Sequence, residues 1–202
     1  MRADYAAVLD SCVLIPMPLA DTLLRMAEEP RLYIPRWSHD ILNEVGRNLV
    51  AKLGRTEAQA ERRCRQMDLA FPSASVHRSY KRIVANMPEE VHAKDRHVVA
   101  AAIRCNCELI VTYNKKDFPQ SALSELGIAV QGPSSFLIGL YDLEPAIVTR
   151  KLTEQAEAIG QTFEQILEAL SPGVATFVSH IREELAMGIA PLRVSRDRRS
   201  VQ

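Results

Sequence analysis

Two short stretches, residues 6–9 (Ala-Ala-Val-Leu) and 109–112 (Leu-Ile-Val-Thr), carry no charge, and polar residues follow each: Asp10 after the first, Asn114 and Asp117 after the second. A strand with one wet face alternates apolar and polar residues; a strand apolar throughout needs cover on both faces. Such strands belong to parallel sheets, joined by crossover helices. Helical signals fill the intervals. Ser38 precedes Ile41, Leu42, Val45, Leu49 and Leu53 at helical spacing, and Gly54 ends the stripe. Thr56 caps a second helix running to about Ala70, and Pro72 breaks it. Residues 74–76 read as a short strand. An apolar helix covers 98–103 behind Asp95, a third strand covers 128–130, and Pro133 opens a helix to about Tyr141. Pro16 and Pro18 exclude regular structure until a helix near 19–29. The expected fold is an α/β/α sandwich around a central parallel sheet.

Beyond Glu144 the pattern is helical only. Ile147, Leu152, Ala156 and Ile159 form one stripe; Phe163, Ile166, Leu167 and Leu170 a second; Phe177, Ile181 and Leu185 a third, with Gly160 and Ser171-Pro172-Gly173 between them. The expected organisation is an α/β domain over residues 1–141 and a small all-helical extension over 142–202. The extension ends in a flexible basic tail holding Arg193, Arg196, Arg198 and Arg199.

Twenty-five basic and 25 acidic residues cancel, which argues against a passive nucleic-acid clamp and less against an enzyme whose acidic centre offsets a basic rim. No apolar run approaches the ~20 residues of a membrane span, and the first residues lack a secretory apolar region, so the expectation is a cytoplasmic protein. Cys12, Cys64, Cys105 and Cys107 form no spaced framework and read as reduced thiols. Cys105-Asn106-Cys107 with His92 and His97 suggests zinc only weakly, because no second cysteine pair follows.

Ligand sites of open parallel sheets gather beyond the carboxyl ends of the strands. Asp10 and Asp117 fall there, Asp95 opens the helix before the second strand, and Glu44 lies one turn into the helix begun at Ser38. Acids brought together raise one another's pKa, and a hard divalent cation with oxygen-only ligands relieves this. Each acid also has a structural alternative. Asp10 can cap the turn after its strand by bonding Cys12 or Val13, Asp95 can cap a helix, Glu44 can pair with Arg47, and Asp117 can serve the turn Asn114-Lys115-Lys116-Asp117. Lys94, Arg96, Lys115 and Lys116 flank the acids and suit a phosphate backbone, or simply solvate helix ends. Cys12 reads as packing beneath the site.

The order Val-Leu-Asp10-Ser11-Cys12, Pro35-Arg36-Trp37-Ser38 with Glu44, Lys94-Asp95-Arg96-His97, and Ile-Val-Thr112-Tyr113-Asn114 with Asp117-Phe118-Pro119 resembles the PIN domain over residues 8–136, and within it the VapC-like toxin branch. The resemblance implies a Mg²⁺- or Mn²⁺-dependent endoribonuclease acting as the toxin of a toxin–antitoxin pair, homodimeric and held by a cognate antitoxin. It assigns Asp10, Glu44 and Asp95 as first, second and third acids, and Ser11 as the small polar residue after the first. One departure is visible: many PIN domains carry an acid where this chain has Asn114, and the nearest acid is Asp117. The implied metal ligands are Asp10, Glu44, Asp95 and Asp117, with Asn114 and Ser11 as further site residues. A haloacid-dehalogenase-like phosphatase would need an Asp at the position of Cys12. A catalytically degenerate PIN fold serving as RNA-binding or scaffold protein is the other alternative, favoured only by Asn114.

Overall fold

The computed structural model describes residues 5–87 and 89–188. The basic tail beyond residue 188 lies outside the described residues.

The chain begins with β1 (Ala6–Leu9), a short helix α1 (Ser11–Leu14) and α2 (Met17–Ala27). Pro18 does not delay α2, contrary to the sequence expectation. It sits in the first turn, where its missing N–H has no helical acceptor to lose. β2 (Ile34–Arg36) then runs parallel to β1, with Ala7 opposite Pro35. This strand escaped the sequence reading because it is three residues long and contains proline. Proline is tolerated because β2 is the outer strand of the four-stranded sheet.

α3 (His39–Leu53) is capped by the Ser38 hydroxyl, which accepts from the Ile41 N–H, and stops at Gly54 in the left-handed region (φ 61°). Its buried side chains are Ile41, Leu42, Val45 and Leu49, whereas Leu53 lies exposed at the helix end. α4 (Glu57–Ala70) starts at the expected Thr56 with a reciprocal capping box to Gln59. Residues 74–76 contribute one bridge, Ser75 beside Trp37. A 3₁₀ turn (Arg78–Tyr80) leads into α5 (Lys81–Val84), followed by α6 (Arg96–Arg104), β3 (Leu109–Val111), α7 (Gln120–Ser124), β4 (Ala129–Gln131) and α8 (Pro133–Leu143). The sheet order is β2-β1-β3-β4, parallel throughout. β1 and β3 are the central pair, and their residues from Ala7 to Leu9 and from Leu109 to Val111 are buried, as strands covered on both faces must be.

α9 (Pro145–Ala158) and α10 (Phe163–Ala186) complete the fold. The break expected at Ser171-Pro172-Gly173 is a kink inside α10, centred on Val174 (φ −139°, ψ 47°). Both helices pack on α8 and α2. Val148, Leu152, Ile166, Leu167, Leu170, Phe177 and Ile181 are buried, and each such side chain contributes roughly 1.5–3 kcal/mol of transfer free energy. Ile159 falls off this face, 61% exposed, because α9 ends one residue before it. Polar ties reinforce the contact. Lys151 Nζ donates to the Glu28 carbonyl (3.0 Å), Gln155 Nε2 to the Pro18 carbonyl (3.1 Å), and the buried Thr22 hydroxyl lies 2.8 Å from Gln155 Oε1. Among the described residues no helix is long and apolar enough to cross a membrane.

Candidate active site

Parallel pairing of Leu9 with Val111 puts the exits of β1 and β3 side by side. Asp10 leaves β1 there and its N–H donates to the Val111 carbonyl (3.1 Å). The Asp10 side chain is 3% exposed. A buried carboxylate needs donors, and it has three. The Ser11 N–H reaches Oδ1 at 2.6 Å, and the Thr112 hydroxyl (2.7 Å) and Cys12 thiol (3.1 Å) reach Oδ2. Asp10 therefore caps α1 through the Ser11 N–H, where the sequence suggested a turn cap to Cys12 or Val13. The cap also fixes its direction at the sheet edge.

Thr112 is a residue that the sequence reading passed over as a strand terminus. It is fully buried, donates to Asp10 and accepts from the Asn114 N–H (3.0 Å), so it splices the exits of both strands. The signal was a hydroxyl at the end of an otherwise apolar strand. Cys12 is more than packing. Burial and the adjacent Asp10 charge push its thiol up to about 12, so it stays protonated and serves as a donor.

Asp95 occupies the N-cap position of α6, yet its side chain makes no capping hydrogen bond. The carboxylate instead feels the other acids. Burial first, then the charges of Asp10 and Asp117 and more weakly Glu44, push Asp95 up to about 6, while His92 at 3.3 Å opposes them. Thus acids on three other segments, Asp10, Asp117 and Glu44, act on Asp95. Asp117 is half-buried at the end of a 3₁₀ turn (Lys115–Asp117), while Asn114 is exposed. Ser11 is buried, with its N–H committed to Asp10.

Glu44 lies 3.8 Å from His97 Nε2. Burial holds the His97 pKa below its ordinary value despite the nearby Asp40, Glu44 and Asp10, so this is a contact of a neutral ring, not an ion pair, at neutral pH. His97 Nδ1 is buried and, among the described residues, has no hydrogen-bond partner. Glu44, His97, Asp40, Asn43, Arg47 and Lys94 line a cavity of about 400 Å³. A larger one of about 690 Å³ runs between α3 and α4 past Leu42, Val50, Ala60 and Cys64, and none of the four acids lines it.

The flanking cations divide. Lys94, Lys115 and Lys116 are exposed. Arg96 is committed to the carbonyls of Val91 (3.1 Å) and Glu89 (3.4 Å) and braces the segment before α6. In the basic stretch of α4, Arg63 donates to the carbonyls of Leu14 and Ile15 at the end of α1, and Arg65 pairs with Glu61.

Among the described residues no three His, Cys, Asp or Glu side chains stand close enough to form a ready-made metal cage. The donor chemistry nevertheless fits Mg²⁺ or Mn²⁺. All four acids are oxygen donors, and Asp95 carries the raised pKa that a nearby cation would reverse. Mg²⁺ in particular keeps several waters and is usually held by one or two carboxylates plus substrate phosphate.

A parallel sheet sandwiched by helices, with acids collected where its central strands end, defines a PIN-like α/β/α fold. No family model matches the chain. Among curated proteins the chain is similar to one from Mycobacterium tuberculosis (strain ATCC 25618 / H37Rv) named "Putative ribonuclease VapC50", 35% identical over 112 residues. The match spans 54% of this chain and 65% of that relative, less than two thirds of its length.

Proposed function

We propose that this chain is a metal-dependent endoribonuclease of the VapC type, hydrolysing RNA phosphodiester bonds. The observation that carries the reading is the buried Asp10 carboxylate, fixed by three donors where β1 and β3 end side by side, whose charge with those of Asp117 and Glu44 acts on Asp95. Resemblance to a protein named as a ribonuclease supports the substrate class.

Asp10, Glu44, Asp95 and Asp117 would hold Mg²⁺ or Mn²⁺, which supplies Lewis-acid stabilisation of the phosphate and a more acidic water. Asp10 is oriented before substrate arrives, because three donors fix both its oxygens. Asp95, half-buried and with its carboxylate not committed to the α6 cap, is left available to the cation. Lys94 and Arg47 beside Glu44, and Lys115 and Lys116 beside Asp117, offer cations to the RNA backbone. His97, neutral and half-buried, holds the Glu44 side of the cavity as a wall rather than a charge.

Incubating purified full-length protein with synthetic single-stranded RNA tests the reading. Cleavage is expected with Mg²⁺ or Mn²⁺ and none with EDTA, and metal-independent cleavage would contradict it. The toxin reading adds a cognate antitoxin and a homodimer. Co-expression with the neighbouring reading frame is expected to yield a stable complex that suppresses cleavage, and light scattering a dimer mass.

A further inference from the structure

Away from the acids, Cys105 and Cys107 flank Asn106 at the junction of α6 and β3. Asn106 adopts φ 52°, the left-handed region that Asn tolerates better than most residues. The chain folds back at this point and the two sulfurs stand 3.2 Å apart. A disulfide bond is about 2.05 Å long, so the thiols are roughly one ångström short of bonding.

The two environments differ. Cys107 is buried in the core, 3% exposed, while half-buried Cys105 opens onto a cavity of about 310 Å³ lined by Arg36, Ser75, His77 and Arg104. Arg36 brings a buried Nε–H for which, among the described residues, no hydrogen-bond acceptor is present. A polar, cation-lined opening is where a thiol turns reactive, because the thiolate is the nucleophile and positive charge favours it.

We propose that Cys105 and Cys107 form an oxidisable dithiol, with Cys105 attacking a hydroperoxide that enters this cavity and Cys107 closing an intramolecular disulfide. In the first step the Cys105 sulfur bonds to one peroxide oxygen and the O–O bond breaks. The other oxygen leaves as hydroxide (or alkoxide) and takes a proton, and Cys105 becomes a sulfenic acid. In the second step the Cys107 sulfur bonds to the Cys105 sulfur, and the S–O bond breaks. The oxygen leaves as water with the Cys107 proton. Two thiols lose two electrons and the peroxide gains them.

The order of attack follows from the surroundings. The hydrogen bond shared with the Cys107 sulfur and the Arg36 charge lower the Cys105 pKa against the opposing effect of burial, and Cys105 is the thiol that faces the cavity. Cys107, sharing that hydrogen bond from the buried side, is raised. Cys64 is raised by burial and stays a thiol, and Cys12 is tied into hydrogen bonds with Asp10 and Thr112.

The test uses reduced full-length protein treated with equimolar hydrogen peroxide, alkylated, and digested with trypsin for mass spectrometry. The expected product is the peptide 105–115 without alkylation and lighter by two hydrogens, with Cys12 and Cys64 alkylated. In Cys107→Ser, Cys105 is expected to persist as a sulfenic acid trapped by dimedone. In Cys105→Ser, Cys107 is expected to remain alkylatable. Peptide 105–115 recovered doubly alkylated, or all four thiols oxidised at the same rate, would overturn the proposal. That readout needs only the natural protein.

Discussion

The Tyr113 hydroxyl donates a 3.1 Å hydrogen bond to the Gly173 carbonyl, joining the residue after Thr112 to the kink of α10. Through its own N–H, Tyr113 also donates to Cys12 Sγ (3.3 Å), and Cys12 donates to Asp10. The helical extension therefore touches the edge where the acids collect. The approach is close: a Cβ at Gly173 would stand 2.6 Å from the Tyr113 hydroxyl oxygen.

Tyr113→Phe removes the donor, and Gly173→Ala forces the hydroxyl aside. Each is expected to cost about 0.5–1.5 kcal/mol, the net worth of one hydrogen bond, measured by denaturant melts. Because both changes break one contact, the double variant is expected to lose no more than the worse single variant. Full additivity would show that the contact contributes nothing.

Much of this architecture was readable in advance, for identifiable reasons. β1 and β3 announced themselves because burial on both faces leaves no polar residue in them. Ser38, Gly54 and Thr56 mark helix ends through local chemistry, and all three serve as caps or stops. β2 was hidden because Pro35 in a three-residue edge strand breaks no ladder bond that its neighbour needs. Asp10 and Asp117 stand out after strand ends and Asp95 and Glu44 near helix starts, yet nothing local shows that Asp95 leaves its cap unmade, that Thr112 bonds Asp10 across 102 residues, or that Arg96 is tied to its own loop. Those depend on which strands become neighbours.

The seam between α2 and α9 gives a second prediction. Thr22→Val keeps shape but removes the hydroxyl beside buried Gln155. An amide oxygen left without its donor costs roughly 1–3 kcal/mol. Removing residues 144–202 is expected to be far more damaging, since α2 and α8 would lose the cover of Val148, Leu152, Ile166 and Phe177. Aggregation or a markedly lower melting temperature is expected. A truncated protein that melts like the full chain would mean the extension stands apart.

Asp95 sets a third prediction, for protein held in EDTA. Its carboxyl, near 6 when folded and about 4 in an unfolded chain, binds a proton more tightly in the folded state. The penalty is absent below about pH 4, grows as pH rises through the 4–6 window, and is complete above 6. Asp95→Asn removes it. Allowing for solvent screening, the variant is expected to gain roughly 2–4 °C at pH 7.5, the effect of ~1 kcal/mol in a chain of this size. Little gain is expected at pH 4. An equal gain at both pH values would deny the coupling.

The most direct measurement is the RNA cleavage rate of Asp10→Asn beside the natural protein, both in Mg²⁺ and free of contaminating nuclease. Asn still caps α1 through its amide oxygen, while the Thr112 hydroxyl and Cys12 thiol must turn to meet its amide N–H, so the fold is expected to persist at somewhat lower stability, checked by the melting temperature in EDTA. What is lost is the negative charge at the centre of the four acids. Replacing an outer partner of a metal ligand already costs ~10–100-fold, so the loss of a ligand charge is expected to lower cleavage by more than about 100-fold. An Asp10→Asn protein that stays folded and cuts RNA at the natural rate would contradict the account.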